Sequence, residues 1–162
     1  MRKRSATELN HNVTSRLSAG VKAVRLAHDM SLVSLAELTG ISRNTLWRIE
    51  NRSSNARLST MDTLAQCFQI NPSQLLVERP ADGRLKRRPS LPELVARNIA
   101  QYRADAGLSQ ESLGSAAGLA RNYASLIEAS APDITIETVG SIARVLGIDA
   151  SLLLADPREG AS

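Results

Sequence analysis

The sequence predicts an all-α protein built from two copies of one small helical unit. Three observations carry that expectation. The 162-residue chain is 43% hydrophobic but only 2% aromatic, so its cores must be made of Leu, Ile, Val and Ala, which suit closely packed helices. Few segments show the alternating, β-branched pattern of strands. A gapless shift of 78 residues also lays the first half of the chain on the second. Arg25 then falls on Arg103, Ser31 on Ser109, Leu35 on Leu113, Gly40 on Gly118, and Arg43-Asn44 on Arg121-Asn122. Ile49-Glu50 meets Ile127-Glu128, Ala65 meets Ala143, and Leu75-Leu76 meets Leu153-Leu154. Agreement of this kind points to duplication of a folding unit of about 60 residues, and two copies are too few for a solenoid.

The expected organisation is a basic arm over 1–12, a first domain over 13–77 and a linker over 78–91. A second domain over 92–155 and a tail over 156–162 follow. Each domain divides into five helical pieces. The first runs over roughly 13–29, with Leu17, Val21 and Val24 on one face, matched by Val95, Ile99 and Tyr102. The second lies between Ser31, placed to cap its free N–H groups, and Thr39; Gly40 then supplies a tight turn. The third is SRNTLWRIE, from about Ser42. The fourth spans about 58–69 with Met61, Leu64, Ala65 and Phe68 inward, and Asn71-Pro72 opens a short last helix. Asp149 repeats that cap in the second domain. The stretch ERPADGRLKRRPS, broken by Pro80, Gly83 and Pro89, reads as an exposed basic linker.

Composition removes several function classes. One cysteine, Cys67, and two histidines, His11 and His28, cannot assemble a disulfide, a metal-ligand cluster or a Cys/His nucleophile pair. No enzyme activity, catalytic residue, cofactor or metal is therefore expected. No run of 18 or more apolar residues suggests a membrane span, and no apolar segment follows the basic start, so the expected location is the cytoplasm. The net charge of +4 is unevenly placed: residues 1–77 carry +5, residues 78–92 carry +3, and residues 93–162 carry −4. Halves so different in charge are expected to meet different partners.

The third helix carries the chemistry. Leu46 and Ile49, three apart, share a face that must bury, with Ile41 preceding them in the turn. Arg43, Asn44, Trp47, Arg48 and Asn51 then point mostly into solvent. Arg can donate two bonds to guanine O6 and N7, and Asn can pair in bidentate fashion with adenine, so this array matches base edges. Trp47 can touch a thymine methyl or a sugar, or fold back over the loop after residue 51.

The segments SLVSLAELTGISRNTLWRIE and SQESLGSAAGLARNYASLIE resemble the Xre-type, lambda-repressor-like (Cro/repressor) helix-turn-helix family, and the resemblance covers nearly all of each repeat. It implies two tandem five-helix domains whose third helix lies in the major groove of duplex DNA. The family's base-reading positions fall on Arg43, Asn44, Trp47 and Arg48. Backbone contacts are expected from Ser42, Asn51, Arg52 and Arg57, with Arg2, Lys3 and Arg4 reaching an adjacent groove. The family often places Gln second in helix two as a phosphate anchor, where this chain has Leu32. The resemblance further implies ion pairs between Arg25 and Glu50 and between Arg103 and Glu128.

The second repeat is ambiguous. Gln110, Arg121 and Asn122 form a possible second DNA site. Yet Arg48 is replaced by Leu126, Arg52 by Ser130 and Arg57 by Thr135, while Asp133 enters the loop. Either both repeats bind neighbouring half-sites, or the second is a protein-contact domain with Leu126, Leu152 and Leu154 as exposed apolar contacts. The extended linker, roughly 45 Å, is long enough to span one helical turn of DNA. Charge favours the protein-contact version. The function expected is thus a sequence-specific double-stranded-DNA regulator, a repressor and homodimer, with repeat one as reader. Its alternatives are an antitoxin that represses its own operon and binds a toxin, and an antiactivator that uses the fold only to bind protein.

Overall fold

The computed structural model describes residues 12–77 and 88–157. Repeat one comprises α1 (Val13–Ala27), α2 (Leu32–Thr39), α3 (Arg43–Glu50), α4 (Leu58–Cys67) and a 3-10 helix (Pro72–Leu76). Repeat two comprises α5 (Leu91–Asp105), α6 (Gln110–Ala116), α7 (Tyr123–Ser130), α8 (Ile136–Leu146) and α9 (Ala150–Leu154). The all-α, five-piece division of each unit is present. The basic arm at Arg2, Lys3 and Arg4 and most of the linker lie outside the described residues.

Local chemistry sets most boundaries. Ser31, Ser42 and Ser109 accept the N–H of the residue three ahead, at 3.0–3.1 Å, and so cap α2, α3 and α6. Asn71 and Asp149 cap the last helix of each unit, and Gln74 closes a capping box on Asn71. Helix α1 stops at Ala27, two residues short of the sequence expectation, because Asp29 turns the chain with φ at 51°. Helix α5 opens inside the stretch read as exposed linker. There Ser90 and Glu93 form a capping box, while Leu91 and the Arg88 side chain are buried.

The cores follow the apolar periodicity. Leu17, Val21, Leu35, Leu46, Met61 and Leu64 are closed off from solvent in repeat one, as are Val95, Ile99, Leu113, Ile127, Val139 and Ile142 in repeat two. One close approach dictates a residue: a Cβ on Gly20 would stand 2.0 Å from the Leu75 carbonyl oxygen. Its equivalent, Asn98, has room instead for an amide that donates to the Leu153 and Ala155 carbonyls at 2.9 Å. The expectation of an exposed Leu154 is corrected. It is fully buried with Leu153, whereas Leu126 and Leu152 remain exposed.

Within each unit one guanidinium ties three elements together. Arg25 donates from Nε and Nη2 to the two Glu50 oxygens at 2.6 and 2.8 Å, and from Nη1 to the Met30 carbonyl at 2.7 Å. Arg103 repeats this on Glu128 at 2.6 and 3.0 Å, and on the Leu108 carbonyl at 2.7 Å. The Glu50 side chain is only 5% exposed, so a lost partner would leave a charge stranded out of water.

The two repeats pack against each other along a seam with two-fold character. Arg57 and Thr135, which the 78-residue shift makes equivalent, form an antiparallel bridge. Leu58 donates to the Ile134 carbonyl and Ile136 to the Ala56 carbonyl, both at 2.9 Å, and these two bonds are again related by the shift. Each repeat also caps the other's fourth helix. Asp133 accepts the Ser59 N–H at 2.9 Å, and its equivalent Asn55 accepts the Glu137 N–H at 3.3 Å. The 3-10 helix packs on α9, and the contact of α1 with α8 is mirrored by that of α5 with α4. Two further links have no counterpart. Arg16 pairs with Asp149 at 3.0 Å, and buried Asp62 holds Arg88 together with the Leu91 N–H.

Two stability outcomes follow. Glu50→Ala lowers unfolding free energy by about 3–5 kcal/mol, measured by urea denaturation, because it strands Arg25. Acid also destabilises the chain. Burial pushes the Glu128 carboxyl up, but hydrogen bonds from Arg103 and Gln110 outweigh this and hold it below its ordinary 4.5. Burial likewise works against Asp149, yet bonds from Ser151 and Arg16 leave it below its ordinary 3.8. Folded-state values lie below unfolded ones, so this stabilisation is complete above those ordinary values and is lost as pH falls through the folded ones. Urea midpoints should decline on acidification from pH 4.5 downward, and Asp149→Asn should make the decline below pH 3.8 shallower.

Candidate nucleic-acid interface

The surface built by α2 and α3 is the strongest candidate site. Leu46 and Ile49 are buried, which fixes α3 from behind, and the Ser42 hydroxyl caps its first turn through the Thr45 N–H at 3.1 Å. With that rotation, Arg43, Asn44, Trp47 and Arg48 all lie on the solvent side. Gly40, at φ of 70°, ends α2 in a left-handed turn that a side chain would strain, and so sets the approach to α3.

Electrostatics along α3 are one-sided. Glu50 is the single acidic residue of 42–52, and Arg25 neutralises it from the protein side. The open face therefore presents Arg43, Arg48 and Arg52 with no competing carboxylate on the helix. Arg48 donates to the Ser53 carbonyl at 3.2 Å, which steadies the turn after α3 without hiding the side chain. Arg52 takes a left-handed φ of 59° and remains exposed at that turn.

Other expected residues have specific employments. Trp47 stays 52% exposed and shares a shallow cleft with Leu32, Val33, Arg43 and Asn44. It thus lies beside α2. The Asn51 amide donates to the Trp47 carbonyl at 2.8 Å and closes the helix end. Arg57 is exposed, but its Nη1 donates to the Asp133 carbonyl at 2.6 Å across the seam, so part of its donor capacity is committed within the protein.

In repeat two the corresponding surface differs in shape as well as charge. Ala120 occupies the place of Ser42 and offers no hydroxyl cap. Helix α7 accordingly begins at Tyr123, and Asn122 adopts a left-handed φ of 63° ahead of it. Arg121 and Asn122 are exposed in this turn, not on the helix. Gln110 is half-buried and donates to Glu128 at 2.8 Å, which turns its amide toward the ion pair. The outward side of α7 shows Leu126, 49% exposed.

Asn55, Asp62, Arg16 and Arg88 make contacts between the repeats that were not expected from sequence, and Asp133, expected only as an added acidic charge in the loop, joins them. The signal for one pair was available: Asn55 and Asp133 are equivalent under the shift, and both are residues that cap helices. Burial raises the pKa of half-buried Cys67, away from reactive thiolate. Among the described residues no group of three or more His, Cys, Asp or Glu is placed to hold a metal. No helix there is long and apolar enough to cross a membrane.

Comparison with known proteins agrees with this geometry. A family model described as a Cro/C1-type HTH DNA-binding domain matches residues 21–80, and one described as helix-turn-helix matches residues 99–153. The chain is 33% identical over 55 residues to Antitoxin PezA of Streptococcus pneumoniae serotype 4. That match covers 34% of this chain and 35% of the relative, so it spans about a third of the relative's length. No solved structure gives a significant match. The protein carries two helix-turn-helix domains in tandem, the first matching the Cro/C1-type DNA-binding model and the second the general helix-turn-helix model.

Proposed function

We propose that this chain is a sequence-specific regulator of transcription that lays α3 of repeat one in the major groove of duplex DNA and acts by repression. The observation that carries the reading is the open face of α3. Its cationic and amide side chains project outward from a helix anchored by Leu46 and Ile49, and its only carboxylate is sequestered by Arg25. Arg43 and Asn44, in the first turn, are the base readers, since the N-terminal residues of such a helix reach the base edges. Trp47 supplies apolar surface to a thymine methyl or a sugar, and Arg48 extends the reading surface. Ser42, Asn51, Arg52 and the uncommitted nitrogens of Arg57 serve the phosphates, which position the domain without conveying sequence.

A second reading is favoured by one observation, the similarity to a protein named an antitoxin. In that reading the chain also binds a toxin and represses the operon that encodes both. Co-expression with the product of a neighbouring gene tests it. A stable complex that relieves toxicity supports the antitoxin role, and independent behaviour of the two products rejects it.

Selection of bound sequences from random duplex DNA tests the main reading directly, and recovery of no preferred sequence would reject it. On the recovered site, Arg43→Ala should lose roughly 1–3 kcal/mol and relax preference at one base position. Arg52→Ala should weaken specific and random DNA alike and reduce the salt slope by about one. Equal losses on specific and random DNA for Arg43→Ala would count against base reading there.

A further inference from the structure

Resting on the DNA-binding reading above, we infer that one chain is a complete, built-in dimer. Repeat two stands where a second subunit would stand, and a single molecule occupies two half-sites of unlike sequence.

The seam supplies the observation. In an isologous two-fold contact, residue i of one unit meets j of the other while j of the first meets i of the second. The bonds from Leu58 to Ile134 and from Ile136 to Ala56 obey that rule, and so do the crossed caps of Asp133 on Ser59 and Asn55 on Glu137. The bridge between equivalent residues Arg57 and Thr135 places the pseudo-dyad between them. The last helices of the two units meet each other as well. Three consequences follow. The face through which repeat one could pair with another chain in this manner is already covered by repeat two, so the homodimer expected from sequence is replaced within the chain. The third helices, α3 and α7, are related by the same pseudo-dyad, which is the symmetry of a DNA site with inverted half-sites. The covalent tie and the one-sided clamps, Arg16 with Asp149 and Asp62 with Arg88, hold the pair together at any dilution.

The two readers are not equivalent, and their differences define the site. Around α3 the outward residues are Arg43, Asn44, Trp47 and Arg48. Around α7 the corresponding residues are Arg121, Asn122, Ser125 and Leu126, with the first two in a turn ahead of the helix. The first half-site is therefore read stringently and held to phosphates. The second is read by Arg121 and Asn122, with the Ser125 hydroxyl beside them and Leu126 offering an apolar surface to a thymine methyl.

The test uses the full chain and the site recovered by selection. Light scattering should give one chain per DNA, and the footprint should cover two unlike half-sites about one helical turn apart. An insertion of about 5 base pairs between them, which turns one half-site to the opposite face, should lower affinity roughly tenfold or more. Arg121→Ala should lower affinity for the intact site roughly 5- to 150-fold, but leave unchanged the affinity for a site whose second half is scrambled. Two chains on an inverted repeat of identical half-sites would overturn the inference while leaving duplex reading by α3 intact. So would indifference to the insertion together with a silent Arg121→Ala, which would return repeat two to protein contact. A chain that retards no duplex at low salt would overturn both this inference and the function on which it rests.

Discussion

The arginine–glutamate pair inside each repeat is the interaction from which the rest of the fold takes its bearings. A single guanidinium satisfies a carboxylate at the end of the third helix and a carbonyl just before the second, while its own stem sits on the first. Three helices are thereby fixed relative to one another by one side chain, in a core with few aromatic rings to lock it. Removing either charge would leave the other desolvated, which is why such a pair is costly to break even where an apolar substitute for both would be tolerated. The pair also has an electrostatic effect at the surface. It cancels the one carboxylate of α3 from behind, so the helix face in front carries cationic, amide and indole groups with no open carboxylate of its own.

The seam between repeats uses cheaper means to a comparable end. Helix α4 has Arg57 at its N-cap, which provides no side-chain acceptor of its own, and the missing acceptor is Asp133 from the other repeat. Orphan N–H groups at a helix start need partners, and here some of those partners are supplied reciprocally across the pseudo-dyad. Asp133, which in sequence is one of the changes that set repeat two apart in charge, is thus a structural acceptor occupied with Ser59.

Divergence of the copies shows how little is needed to alter a reader while keeping its scaffold. Most buried positions remain apolar and the ion pair is kept. Exchanging a capping hydroxyl for Ala120 delays the start of α7, and two residues shared with repeat one pass from a helix to a turn. At Gly20 and Asn98 the opposite adjustment is visible. One unit brings backbone against backbone, and the other inserts an amide into the wider gap.

By itself, the sequence determined the helical class, the duplication, the caps at Ser31, Asn71 and Asp149, and the rotation of α3, because these depend on spacing and on residues a few positions apart. The 78-residue shift even identified Asn55 and Asp133 as equivalents. What only the tertiary structure decided was how the two units face each other: that Arg57 is partly spent on the seam, that Leu154 is buried, and that Arg88 folds onto Asp62. Those outcomes come from contacts between residues tens of positions apart. Periodicity reports which face of a helix is buried, but not which partner covers it.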